Sequence, residues 1–151
     1  MQFLHSRGWC DGTGGNFSVC LQHDPLQLLM APSGVDKGSV QAEELIVVDA
    51  NGAVIEGNGR ASAETELHQC IMSSVGAGAV LHTHSVAATV LSRVHGCDGF
   101  VQLEGWEMLK GLNGIKSHET TLAIPVVANN QNMQQLSASV KPHLHGPAWG
   151  I

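Results

Sequence analysis

Charge is scarce in this chain. Only 13% of its 151 residues are charged, with seven Lys and Arg against thirteen Asp and Glu. Hydrophobic residues make up 43%, which excludes a highly charged disordered chain. The net charge of −6, histidines neutral, leaves no electrostatic footprint for nucleic acid or an anionic membrane. No apolar run approaches the ~18 residues of a membrane span. The N-terminus carries no apolar segment of the signal-peptide kind. Cys10, Cys20, Cys70 and Cys97 form no C-x-x-C pair, so reduced thiols of a cytoplasmic protein are expected. No repeat, linker or low-complexity stretch divides residues 1–151, and their number suits one compact domain with a core.

What is abundant is glycine, at 18 residues, clustered where turns are needed. Met1 to Arg7 reads as helix, ended by Gly8. Phe17–Leu21, Leu26–Ala31 and Leu45–Asp49 read as strands, and Asn51-Gly52 as a hairpin turn into Val54-Ile55. Ser62 to Val75 reads as a helix capped by Ser62, with Leu67, Cys70, Ile71 and Ser74 on one face. Ala79–Thr83 is a short strand and Ser85–Arg93 a helix. Leu122–Val127 is a strand around Pro125, and Gln131–Ser139 a helix that Asn130 would cap. Short strands mixed with helices predict an α/β layered domain, and the early hairpins predict antiparallel pairing within its sheet.

The sharpest chemical feature is His82-Thr83-His84. Strand alternation points both imidazoles to one face, where both can reach a single ion at about 2.0–2.1 Å. A catalytic zinc site needs a third protein ligand and an open position. His5, His23, His68, His95, His118, His143 and His145 are all candidates by spacing. Acid/base candidates are Glu64, Glu104 and Glu107. An acid in the apolar setting of Leu103–Lys110 would have its neutral form favoured by desolvation, as a general acid near neutral pH requires; a solvated acid is the plainer expectation. Two turns, Gly12-Thr13-Gly14-Gly15-Asn16 and Ala31-Pro32-Ser33-Gly34, could cradle an anion with backbone N–H groups and hydroxyls. Neither has the P-loop spacing, because no Gly-Lys-Ser/Thr follows.

Taken in order, Arg7-Gly8-Trp9, Gly12–Ser18, Ala31–Gly34, Ser62-Ala63-Glu64-Thr65, His82-Thr83-His84-Ser85 and Glu104–Lys110 resemble the class II aldolase/adducin-type family. The match runs over nearly the whole chain. Ala-Pro-Ser-Gly-Val, Leu-His-Thr-His-Ser and Leu-Glu-Gly-x-Glu are most similar to the family's dehydratase branch. The resemblance implies a three-layer α/β/α domain with a mixed, largely antiparallel central sheet. It implies one zinc ion per subunit, held by His82, His84 and a third histidine from a later His-Gly motif, which His145-Gly146 matches. It implies removal of water from 5-methylthioribulose 1-phosphate in methionine salvage, by a cytoplasmic homo-oligomer, typically a tetramer. Glu107 matches the family's acid/base glutamate, and Glu64 the catalytic glutamate of its sugar-phosphate aldolases. Asn16, Ser33, Gly34 and Ser62 are carried over as phosphate-binding residues.

The family usually has more helix before the position of Met1 and beyond Trp149-Gly150, so a single domain incomplete at both ends is expected. Two rival readings share the same motifs. One is a class II sugar-phosphate aldolase or epimerase; the other is an inactive shortened homologue or binding domain.

Overall fold

The computed structural model describes residues 1–144 and 150. Helix α1 (Gln2–Ser6) precedes strands β1 (Asn16–His23), β2 (Leu26–Met30), β3 (Ile46–Asp49) and β4 (Val54–Glu56). Helix α2 (Thr65–Val75), strand β5 (Ala79–His82) and helix α3 (Val86–Val94) follow. Strands β6 (Phe100–Glu104) and β7 (Thr121–Pro125) and helix α4 (Met133–Val140) complete the described part. The first five strands form one sheet in the order β4-β3-β2-β1-β5, and β6 and β7 pair separately. Every pairing among the described residues is antiparallel. This is the α/β fold with the antiparallel sheet that the turn chemistry predicted; β6 had gone unread, because its Phe100–Glu104 run ends in residues that also suit a helix.

Alternation builds the core. Leu26, Leu28 and Met30 of β2 point to one face and are buried, and their neighbours Val48 and Ile46 across β3 join them. Helix α2 covers this face with Met72, which is fully buried against Leu26 and Leu28. Burying a side chain of this size is worth roughly 1.5–3 kcal/mol. On the opposite face Val19, Leu21 and Leu81 remain half to two-thirds exposed.

Helix α2 has a second apolar face. Leu67 and Ile71, read from the sequence as one stripe, pack against Leu136, Val140 and Leu144 of α4 and the residues after it. The stripe toward the sheet is instead Thr65, His68 and Met72. The helix begins at Thr65 with Glu64 as its N-cap, later than the Ser62 start expected from sequence. Ser62 serves as a turn ahead of it, where its Oγ accepts the Glu64 N–H and its carbonyl accepts the Thr65 N–H. Similarly Asn132, not Asn130, caps α4 by accepting the Gln135 N–H. Asn130 sits two residues earlier and accepts the Asn132 N–H.

Candidate active site

Strand β1 lies between β2 and β5, and the register places Asn16 opposite His82 and Ser18 opposite Val80. The period of two therefore sends Asn16, Ser18 and His82 to the face that α2 covers. Glu64 approaches from the start of α2. A single oxygen, Glu64 Oε2, accepts from His82 Nδ1 at 2.7 Å and from the Asn16 amide. A carboxylate partner puts the imidazole proton on Nδ1 and leaves Nε2 with its lone pair free. The His82 hydrogen bond is the main reason the Glu64 carboxyl is held below the ordinary range; partial burial works against it, and the closeness of the His82 ring and the Asn16 amide add to the lowering.

The strand ends at His82, yet the second imidazole stays beside the first. The His82 and His84 ring centroids are 4.7 Å apart, tilted by 32°. The backbone N–H of His84 donates to the Trp9 carbonyl at 2.6 Å, which ties the segment to the first Gly-rich loop. Gly15 lets that loop press close. Its φ is +75°, and a Cβ there would stand 2.7 Å from the His82 carbonyl oxygen and 3.1 Å from Cys10 Cβ.

Beneath this layer Ser18 Oγ lies 2.6 Å from His68 Nδ1, and both side chains are buried. Burial, then the nearby His82, pushes the His68 pKa down to about 4, so the ring is neutral at neutral pH. The polar pairs Asn16–Glu64–His82 and Ser18–His68 thus form two successive rungs, followed by the apolar Cys20, Leu28 and Met72.

Of the expected anion-binding residues, Asn16 starts β1 within this group, Ser62 is in the turn ahead of α2, and Ser33 and Gly34 are in the turn after β2. The Ser33 N–H donates to the Arg60 carbonyl at 2.8 Å. Gly34 has φ +81° with open space where a Cβ would stand. The amide of Asn16 is turned to Glu64.

Glu107 is elsewhere. It starts a short 3-10 turn, Glu107–Gly111, with a side chain 68% exposed. It pairs with Lys110 and stands 3.6 Å from His118 Nδ1. The apolar setting suggested by Leu103–Lys110 is absent, because Trp106 and Met108 themselves face outward. Glu104, at the end of β6, is exposed and accepts from the Gln102 amide at 2.9 Å.

Among the described residues no group of three His, Cys, Asp or Glu is placed to hold a metal ion. His5, His95 and His118 are paired with Asp36, Asp98 and Glu107, and His68 is buried on Ser18. His145 lies outside the described residues. The chemistry of the pair suits a divalent cation: His82 presents Nε2 while a carboxylate orients its other nitrogen, an arrangement that raises ligand basicity.

Ser18 and Lys37 were not singled out from sequence, and His68 stood there only among seven possible metal ligands. Ser18 carried a signal in its two-residue spacing from Asn16. His68 lies four residues after Glu64, one helical turn away. Lys37 gave only its position three residues beyond Gly34.

A domain with this sheet and this Glu–His–His group defines a class of proteins. The chain belongs to the family described as the class II aldolase and adducin N-terminal domain, whose model matches residues 1–150. Within it the chain is similar to proteins named methylthioribulose-1-phosphate dehydratase. It is 40% identical to that of Bradyrhizobium sp., over 93% of this chain and 63% of the relative. It is 40% identical to that of Sorangium cellulosum, over 99% and 71%, and 42% identical to that of Serratia proteamaculans, over 93% and 68%. The chain thus spans about two thirds of the length of these relatives. Among solved structures it is similar to YgbL from Klebsiella pneumoniae, with a TM-score of 0.75 and 27% identity over 95% of this chain and 65% of that one. It is also similar to l-fuculose-1-phosphate aldolase from Thermus thermophilus, with a TM-score of 0.64 and 26% identity over 93% and 66%. Class II aldolase-type proteins typically use a divalent metal. No helix among the described residues is long and apolar enough to cross a membrane.

Proposed function

We propose that this chain carries the site of a zinc-dependent dehydratase that converts 5-methylthioribulose 1-phosphate to 5-methylthio-2,3-dioxopentyl phosphate in methionine salvage. The observation that carries this reading is identity of about 40% to dehydratases of that name along nearly the whole chain; the closeness of Glu64, His82 and His84 supports it. His82 and His84 would hold the ion through imidazole nitrogens, with His145 as the third ligand. When bound, zinc supplies Lewis-acid polarisation of the substrate ketone, which lowers the cost of removing the neighbouring carbon-bound proton.

The chain's own residues do the rest. Glu64 fixes the His82 ring by accepting its Nδ1–H. Asn16, Ser33 and Gly34 of the two turns, with Ser62 ahead of α2, hold the substrate phosphate. The Glu107 carboxylate takes up the carbon-bound proton and then gives it to the departing hydroxyl, which leaves as water. The exposure of Glu107 in the isolated chain fits a working homo-oligomer, a tetramer in the cytoplasm, in which that carboxyl is closed off from bulk water.

A second reading rests on the likeness to l-fuculose-1-phosphate aldolase. The same groups would serve a class II aldolase or epimerase. The experiment is to incubate the purified chain with zinc and 5-methylthioribulose 1-phosphate. Diketone phosphate supports the dehydratase. Zinc retention without that product, together with retro-aldol cleavage of fuculose or ribulose phosphates, overturns it in favour of the aldolase. Absence of both zinc and product identifies an inactive homologue.

A further inference from the structure

Lys37 is an unusual lysine. Its residue is only 1% exposed, and no other Lys or Arg among the described residues is buried. Burial pushes its pKa below the ordinary lysine range. Its ammonium donates to the Val35 carbonyl at 2.9 Å and to the Thr13 carbonyl at 3.3 Å. Its backbone N–H donates to the Gly12 carbonyl at 3.3 Å. One residue therefore ties the Gly12–Gly15 turn to the turn that follows Ala31–Gly34.

The partners of this ammonium are neutral. No carboxylate forms an ion pair with it among the described residues. The Asp36 carboxylate bonds instead to the Gly38 N–H at 2.7 Å and pairs with His5. Cys10, fully buried nearby, holds its proton because burial pushes the thiol up. The Asp36 charge acts on Lys37 without pairing with it, so this desolvated cation, bonded only to carbonyls, has no direct ionic partner of the kind burial normally demands. Thr13 and Gly12 belong to one of the turns that could cradle an anion, and Val35 directly follows the other, Ala31–Gly34, in a chain of net charge −6 with few cations to spare.

We propose that Lys37 is the positioning residue of the phosphate site: it locks the two turns in register and supplies the buried positive charge that an arriving phosphate completes. This rests on the reading of those turns as phosphate-binding. The probe is inorganic phosphate, titrated by calorimetry into the zinc-treated wild type and into Lys37→Met and Lys37→Arg. Wild type should bind. Lys37→Met should lose roughly tenfold or more in affinity, the scale of one charge-assisted interaction, and Lys37→Arg should recover most of it. Zinc content should be equal in all three, a readout that a merely structural role would disturb together with phosphate.

If wild type does not bind phosphate, both the phosphate reading and this proposal fall. If Lys37→Met binds as wild type does, only the role of Lys37 falls. Should Lys37→Met not fold, the nitrogen NMR signal of the Lys37 ammonium in the wild type decides. Phosphate, but not chloride at equal ionic strength, should shift it while leaving the Lys116 and Lys141 signals unchanged. An unmoved Lys37 signal overturns the proposal.

Discussion

Glu64 Oε2 stands 2.7 Å from His82 Nδ1, joining the start of a helix to the end of an edge strand. That bond is what a metal-ligating histidine needs, because it fixes the ring and its tautomer. Glu64→Gln should therefore fold and yet bind zinc about 10–100-fold more weakly, the usual cost of removing such a partner. Equilibrium dialysis with metal analysis reads the change; unaltered zinc affinity would show that the bond does not orient a ligand.

Glu107 should behave differently. Its side chain touches neither histidine in the described structure and pairs with Lys110 and His118. Glu107→Gln should keep wild-type zinc content and lose about 10²–10⁴-fold in turnover, the range for a general acid/base group. A near-normal rate would remove Glu107 from the chemistry.

His68 makes stability depend on pH. Its folded pKa is about 4 against an ordinary 6.5. The folded value is depressed, so the unfolded chain takes up the proton first as the pH falls. Stability is therefore fully present above about 6.5 and declines as the pH drops toward 4, by on the order of 3 kcal/mol in total. Denaturant midpoints of the metal-free protein between pH 7 and pH 4 should show this slope. His68→Gln should flatten it, and an identical slope in that variant would place the titration elsewhere.

Two glycines with similar φ should respond unequally to alanine. Gly52, at φ +80°, has open space around its missing Cβ, so Gly52→Ala pays only the left-handed strain, about 1–2 kcal/mol. Gly15→Ala adds a collision with the His82 carbonyl and Cys10 and should cost roughly twice that or more. Calorimetric Tm values compare the two directly; equal shifts would mean the loop gives way easily. Gly15→Ala should also reduce zinc binding, because the strand end it displaces carries His82.

Much of this was legible in the sequence where local chemistry decides the outcome. Asn51-Gly52 fixed the β3–β4 hairpin, and the Asp49 carboxylate completes it by accepting the Asn51 and Ala53 N–H groups. The His82/His84 pair was readable from spacing, although β5 stops at His82 and His84 is held instead by Trp9. Tertiary facts were not readable. Nothing local shows that Lys37 is buried, that Asn16 turns its amide to Glu64, or that Glu107 faces outward. Helix starts slipped because Ser62 and Asn130 are good turn formers as well as good caps, and the chain uses them two residues early.

The order of the strands also sets a folding sequence. Strands β1 to β4 are neighbours both in the chain and in the sheet, with tight turns between β1 and β2 and between β3 and β4 and a longer connection between β2 and β3. Strand β5 reaches β1 only across the whole meander and helix α2, which makes its docking the entropically costly step. The Asn16–His82 contact belongs to that last step. A chain caught before it would own a sheet, a core and a helix, but not the Asn16–Glu64–His82 group, and pulse-labelled amide exchange should find β5 protected after β2 and β3.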